Sequence, residues 1–569
     1  MSFMHQTIWI LLLAFLLPVS PANAQTAGDQ QPDGGELLYN GICLPEQWPP
    51  RRTVAELREH EPMVVPWMND PPEIIPIDVG RQLFVDDFLI ESTTLERVFH
   101  KAEFYDGNPV IRPDRRWERG RGTVPASAMA YSDGVFYDPR DKLFKMWYRF
   151  GIRGGFAYAV SEDGMKWEKP SIDHVQPGTN IVLLSGNRDS ATVWLDHETT
   201  EPAQRFKLFQ FHRDAWKSSV HTSPDGIHWS EPVWTGPTWD RSTIFYNPFR
   251  KVWVYSIRTH LYPGPWDYHS KPPKPIGRAR KYWEHADFVA GAKWTGGQVY
   301  EDWKEDEPVW WYAADRLDSP EIGPDDTRAE LYNLDAVAYE SILLGLFSVW
   351  HGGSSGSRPK INDIMLGFSR DGFHWHRPYR QAVIPVADDT EAWNWANVQS
   401  VGGGCLVVRD RLFFYASGRN AKEDTTGLAF LRRDGFASMR AGDNEGALTT
   451  RPVRFRGKFL FVNAAIEQGG KLEIEILDRE GNVMPRFRRQ DSRPIHEDET
   501  LIPVTWSDTK DLSSVVGQAV RFRFHLKRGA LYSFWVSPEE RGASHGYVAA
   551  GGPGFTGLTD TVGEKTYRD

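Results

Sequence analysis

The chain has 569 residues, a formal net charge of −10 at neutral pH, and 25% charged against 40% hydrophobic residues. That is the balance of a globular protein with an ordinary core, and a net negative chain has no general attraction to nucleic acid. Aromatic residues reach 13%, with 24 Trp, which suits half-buried strands and also the stacking of sugar faces.

Residues 1–24 read as a signal peptide, with an apolar run from Ile8 to Leu17 and a small-x-small end at Ala22-Asn23-Ala24. The run is too short to cross a bilayer, and no later stretch reaches the roughly 18 apolar residues a membrane helix requires. The mature protein is therefore expected to start at Gln25 and to be secreted or periplasmic, with no membrane span. Residues 25–80, rich in Pro and polar side chains, should be irregular. Gln82 to Ile90 reads as a strand that completes a blade of the repeat described next.

Three segments share one box: Ser161-Glu-Asp163-Gly164-Met-Lys-Trp167, Ser223-Pro-Asp225-Gly226-Ile-His-Trp229 and Ser369-Arg-Asp371-Gly372-Phe-His-Trp375. Degenerate copies stand at Gly291-Ala-Lys-Trp294 and Arg433-Asp434-Gly435-Phe436, so the five glycines are 62, 65, 81 and 63 residues apart. Each unit holds a short strand, a turn, an aromatic-rich second strand such as Phe144–Tyr148 or Val252–Tyr255, and a third strand running into the box. A repeat of that length, with short strands and turns between, predicts five propeller blades. The box aspartates read as turn residues, because Asp followed by Gly supplies both a side-chain acceptor and a positive φ.

After about residue 445 the pattern changes to longer alternating strands, predicting a β-sandwich domain over 445–538. The Gly- and Thr-rich residues 539–569 read as a loop or disordered arm. The fold class is all-β: a five-bladed β-propeller over residues 81–444, followed by the sandwich.

Asn108-Pro-Val-Ile111 ahead of the first unit, with the repeated Ser-x-Asp-Gly-x-x-Trp boxes, resembles the five-bladed glycoside hydrolases of families 43, 32 and 117 over roughly residues 105–440. The segments Phe84–Glu91, Asp240-Arg-Ser-Thr243 and Asn247-Pro-Phe-Arg250 are similar to exported proteins labelled family 32-like. The fructosidase motifs Trp-x-Asn-Asp-Pro-Asn and Arg-Asp-Pro are absent from the matching positions. The resemblance implies an architecture and a glycosidase-type activity, with substrate over the axis where the innermost strands begin.

Inner strands starting at that end would bring Asp133, Asp189, Asp240, Asp335 and Asn397 there. Asp189 and Asp240 share one register, each three residues before a strand Thr. Glycoside cleavage needs one protonated and one ionised carboxyl, so Asp189, Asp240, Glu284 and Asp335 are the catalytic candidates. Glu284 stands in an unusually ionisable third strand, Arg278 to Asp287. Asp138, Asp196 and Glu340 follow their strands and belong to the opposite end. The ends of the second strands add Arg149, Arg153, His212, Arg213, Lys217, Arg258, His351, Arg358, Lys360 and Arg419. Of the cationic groups, Arg149, His212, Arg241, Arg258 and His351 are the substrate-binding candidates, with Trp393. Trp216, Trp266 and Trp395 are further platforms. Such a face would suit an acidic or sulfated sugar.

The expected activity is hydrolysis of a plant or algal poly- or oligosaccharide by carboxylate acid/base chemistry. A phosphorylase on the same fold and a non-catalytic glycan-binding propeller are the alternatives. No organic cofactor and no metal-ligand motif is implied, although converging strand-start carboxylates could hold a structural Ca²⁺. The expected partner is a carbohydrate, with no nucleic acid, and nothing in the sequence fixes an oligomeric state. Cys43 and Cys405 could pair in an oxidising compartment or stay free.

Overall fold

The computed structural model describes residues 35–120, 125–151, 154–264, 273–296, 307–318, 328–351, 360–395 and 397–567. The signal-peptide reading therefore falls outside the described residues. Among the described residues helix is confined to short turns such as Val54–Glu59, and the fold is nearly all β. No described helix is long and apolar enough to cross a membrane.

Among the described residues five antiparallel groups of strands, here called sheets, follow one another in chain order, the first and last joined by a parallel pair. The first is built from Ala126–Met129, Val135–Asp138, Leu143–Phe150, Phe156–Ser161 and Ile181–Leu183. The second holds Arg188–Leu195, Phe206–His212, Lys217–Ser223 and Val233–Pro237, and the third Thr243–Asn247, Val252–Leu261, Gly277–His285 and Val309–Ala313. The fourth holds Glu330–Glu340, Ile342–Trp350 and Asn362–Ser369, and the fifth Asn397–Val401, Leu406–Val408, Arg411–Arg419 and Glu423–Arg432. Alternate residues on both faces of these strands are apolar, so each sheet buries both faces against its neighbours in one continuous core.

The first strand of each sheet touches that of the next. Val193 N donates to Asp133 O at 2.8 Å, Arg241 N to Ser190 Oγ at 2.7 Å and Thr243 Oγ1 to Leu334 O at 2.6 Å. Val401 N then donates to Asp335 Oδ2 at 3.1 Å, and the last strand of the fifth sheet returns the ring to its start where Ala130 N donates to Thr426 Oγ1 at 2.8 Å. Parallel pairing of Asp424 with Ser127 seals that last junction.

The boxes fasten sheet to sheet. Asp163, Asp225 and Asp371 each accept from two backbone N–H groups two and three residues on, and Gly164, Gly226 and Gly372 have φ of +73°, +79° and +90°. The carbonyl exposed by each turn then meets an aromatic donor of the preceding sheet. Tyr415 bonds Gly164 O at 2.6 Å, Trp147 bonds Gly226 O at 2.7 Å and Trp311 bonds Phe373 O at 2.6 Å. These aspartates are turn residues.

Two expectations for the flanks need correction. Residues 82–99 do not complete the ring: Gln82–Leu83, Ile90–Thr93 and Glu96–Phe99 pair with strands of a separate eight-stranded sheet. That sheet is organised by the long strands Phe459–Leu477 and Arg521–Ser537 and has its own core, which includes Phe84, Phe88 and Leu89. The ring gains instead the short strand Glu103–Phe104, paired with Ala429 and Phe430. The tail after residue 539 is ordered. Tyr547–Val548 pairs with Tyr339 and Glu340, Ala550 O accepts from Tyr137 N, and Gly551 O from Val407 N, so the tail crosses the end of the ring opposite the strand starts. Cys43 and Cys405 are both free.

Candidate active site

Antiparallel pairing puts the starts of the inner strands and the ends of the second strands at one end of the ring. Arg213, just after Phe206–His212, links two sheets there. It donates to Asp189 Oδ2 from Nε at 3.1 Å and, more closely, from Nη2, which also reaches Asp240 Oδ2 at 3.2 Å. The Asp189 and Asp240 carboxylates are therefore separated by no more than the span of two hydrogen bonds. Arg258 Nη1 holds the other oxygen of Asp240 at 3.0 Å, and Arg241 Nε lies 3.7 Å from Asp189. Asp240 keeps 26% of its side chain exposed and Asp189 14%, so the cluster opens to solvent at Asp240.

Deeper in, the arginines lie on aromatic rings. The Arg241 guanidinium sits 4.0 Å from the Tyr131 centroid and 5.2 Å from that of Tyr332, and Arg149 lies 4.7 Å from Tyr131. Arg241 Nη2 donates to Gln399 at 2.9 Å, and Arg419 Nη2 to the Tyr131 hydroxyl at 2.7 Å. Arg419 and Arg149 both face Asp424, at 3.1 and 3.7 Å, while Arg188 pairs with the fully buried Asp133. Tyr131 adopts the left-handed region, φ 47°, where the first inner strand is broken between Met129 and Val135. Such a conformation is costly for a bulky residue and is held by the bonds around it.

The carboxyls differ sharply. Burial pushes Asp189 up, but Arg241, Arg213 and Arg149 more than offset it and hold the group at about 2. Asp335 is buried on its inner strand and receives Asn333 Nδ2 at 2.9 Å and Val401 N at 3.1 Å. Those donors are neutral and the nearest cation, Arg280, acts weakly, so burial wins and the carboxyl is pushed up to about 6. Asp133 also rises to about 6 through burial, in spite of Arg188. Tyr332, surrounded by Arg241, Lys360 and Arg419, is lowered below the usual phenol value although buried.

Of the candidates from the sequence, Asp189, Asp240, Arg241, Arg258 and Arg149 meet at this end, with Asp335 joined to them through Asn333 and Arg280. Glu284 does not. The strand Gly277–His285 starts opposite Leu261 at the site and carries Glu284 to Val254, at the far end, where it binds Arg250 at 2.6 Å. His212 turns outward along its sheet to Ser219, 2.7 Å, and meets Trp234 at 4.9 Å. Trp393 lies across Gly418 and Gly427, where a Cβ would come within 2.2 and 2.4 Å of its ring, so it packs on the fifth sheet. His351 is buried against Asp363 at 3.0 Å. Arg153, Arg358 and Trp266 lie outside the described residues. The sequence reading missed Tyr131, Tyr332, Arg188, Arg280, Gln399 and Asp424. Arg278 and Arg280, alternate residues of one strand, were its available signal, because an arginine on a buried face needs a partner. Among the described residues no group of His, Cys, Asp and Glu is arranged to hold a metal ion.

No family model matches the sequence, and no curated protein does. Among solved structures, the chain is similar to a GH130-family protein described with glycoside hydrolases that target β-1,2 mannosidic linkages in Candida mannan. That match has 15% identity over 62% of this chain and 96% of the other, with a TM-score of 0.37. A thermostable family-43 glycoside hydrolase matches at 10% identity over 55% and 93%, TM-score 0.36. The fructofuranosidase of Schwanniomyces occidentalis matches at 12% identity over 77% and 97%, TM-score 0.35.

Proposed function

We propose that this chain is an exported glycoside hydrolase, secreted or periplasmic, whose five sheets are the blades of a propeller and whose C-terminal sheet is a sandwich domain. Its substrate is an acidic or sulfated poly- or oligosaccharide of plant or algal type. The observation that carries this reading is the meeting, at one end of the ring, of Asp189, Asp240 and Asp335 within an excess of guanidinium groups. Asp335, held near 6 by burial, is suited to give a proton to a leaving oxygen, Asp189, held low by Arg241, Arg213 and Arg149, to stay ionised, and Asp240, the most exposed of these acids, to meet the substrate. Arg149, Arg241 and Arg419 around Tyr131 are suited to a carboxylate or sulfate. Turnover of a panel of acidic and sulfated polysaccharides, followed by product analysis, tests the proposal. Asp240→Asn should fold and lose activity by about 10²- to 10⁴-fold on the responsive substrate. A folded Asp240→Asn protein with full activity would remove Asp240 from the chemistry.

The same arginine excess supports a second reading, a phosphorylase, since inorganic phosphate would meet the same donors. Dependence of turnover on added phosphate separates the two.

A further inference from the structure

Beside the cationic centre runs a chain of aromatic rings. Trp216 stands at the turn between Phe206–His212 and Lys217–Ser223, with φ of 48° and 45% of its surface exposed. Its ring meets Trp239 edge to face at 4.8 Å, Trp239 meets His260 at 4.7 Å, and His260 meets Tyr262 at 6.1 Å. The left-handed region favours glycine, and an indole in water is unfavourable, so Trp216 makes two poor choices at one position. A single exposed apolar residue needs no explanation, but a contiguous row joined to a polar cleft does.

The row is joined to the acids through Arg258. Its guanidinium pairs with Asp240 at 3.0 Å, lies 5.2 Å from the Trp239 ring and donates to His260 Nε2 at 2.7 Å. Trp239 also precedes Asp240 in the chain. Burial, with Arg258 and Arg278 nearby, pushes His260 down to about 3, so the imidazole is neutral at neutral pH. The row thus carries no charge of its own, in contrast to the arginines of the centre. Flat, uncharged, amphipathic rings match the C–H faces of neutral sugars and bring no charge to pair with a sulfate or carboxylate.

We infer that Trp216, Trp239 and His260 form a stacking subsite for the uncharged sugar units of a longer glycan whose anionic unit sits at the arginine-lined centre. This rests on the glycoside reading above and deepens it. The protein would then select oligosaccharides by length as well as by charge.

The full-length protein is titrated by calorimetry with a disaccharide and a hexasaccharide of a galactan that each carry a single sulfated unit, and with the same two lengths of a glucuronoxylan that each carry a single glucuronate. In the series that binds, the hexasaccharide should bind at least about 10-fold more tightly than the disaccharide. Trp216→Ala should weaken the hexasaccharide by roughly 3- to 10-fold, the range expected for loss of one aromatic contact, and leave the disaccharide within a factor of about 2. Trp216→Tyr, which keeps a ring, should restore most of the difference. Equal affinity for both lengths in the native protein, or equal loss of both in Trp216→Ala, overturns the subsite and leaves the glycoside reading standing. If neither series binds at either length, both fall.

Discussion

Asp189 and Asp335 lie on the inner strands of the second and fourth sheets, and their surroundings push them in opposite directions, to about 2 and about 6. Cations serve the first and neutral amides the second, and only full charges offset the loss of water around a carboxylate. The consequences for stability have opposite signs. The contribution of Asp189 is present above the ordinary carboxylate value and is lost as pH falls toward about 2. That of Asp335 is fully present below the ordinary value and is lost as pH rises through about 6. Above that point the ionised, buried Asp335 costs the fold roughly 3 kcal/mol, from a rise of about 2 pK units. Asp335→Asn should therefore unfold at a higher temperature than the native protein at pH 8 and show little gain at pH 4. If Asp335 supplies the proton, the native kcat/KM should fall with increasing pH from about 6, and the variant should lose turnover across the whole range. Thermal scans at the two pH values and a pH–rate profile check both. An unchanged melting temperature at pH 8 would mean that the carboxylate is well solvated in its site.

At the scale of elements, the boxes tie local turn chemistry to long-range packing. Gly226 has φ +79°, and a Cβ there would lie 2.4 Å from the ring of Trp147, which is fully buried and bonded to Gly226 O. Gly178 has nearly the same backbone, φ +73°, with nothing within 4 Å. Gly178→Ala should cost about 1 kcal/mol, the strain of a left-handed alanine alone. Gly226→Ala should cost about 3 kcal/mol or more, because Trp147 must also move. Denaturant titrations of the two variants give the difference, and equal costs would show that the seam yields. The boxes were legible in the sequence because Ser-x-Asp-Gly writes its turn within four residues. Glu284 was not, because its place depends on which end of a strand it occupies. Four residues beyond Arg280, it lies about 13 Å farther from the site. That the tail is a packed loop and not a disordered arm was hidden for a similar reason. Its glycines look like those of a free arm, but Gly552 passes so close to Val407 O that a Cβ would come within 1.8 Å. Only tertiary contact distinguishes the two. Tyr131 and Tyr332 were not legible because buried tyrosines ordinarily pack, and Arg241 and Arg419, which set them apart, are brought to them by other sheets.

For the molecule as a whole, the ring and the C-terminal sheet are locked by a buried ionic network. Arg81 reaches Asp434 at 3.0 Å and Glu340 at 3.5 Å, and Arg433 reaches Glu340 and Asp560, both at 3.2 Å; all five side chains are fully buried. Asp434 also accepts from Ser533 and Asn463 of the C-terminal sheet, at 2.6 and 3.0 Å, and from Tyr339 of the fourth sheet. The degenerate fifth box is still a turn, with Asp434 at φ 63°, but its carboxylate serves the junction, and Asp560 brings the tail into the same knot. Two cations face three acids. Burial raises Glu340, while Arg81 and Arg433 hold Asp434 down. Removing one cation leaves buried carboxylates uncompensated, which costs about 3–5 kcal/mol where a buried pair is broken. Arg433→Met should therefore destabilise the protein by about that amount and weaken the coupling between its two cores. The native protein should unfold in one transition, seen alike by tryptophan fluorescence and far-UV circular dichroism, and resist cleavage between Ala441 and Gly446. Arg433→Met should separate the two signals and open that segment to protease. Two transitions already present in the native protein would mean that the network joins domains which fold independently, and that its charges fix their orientation rather than their stability.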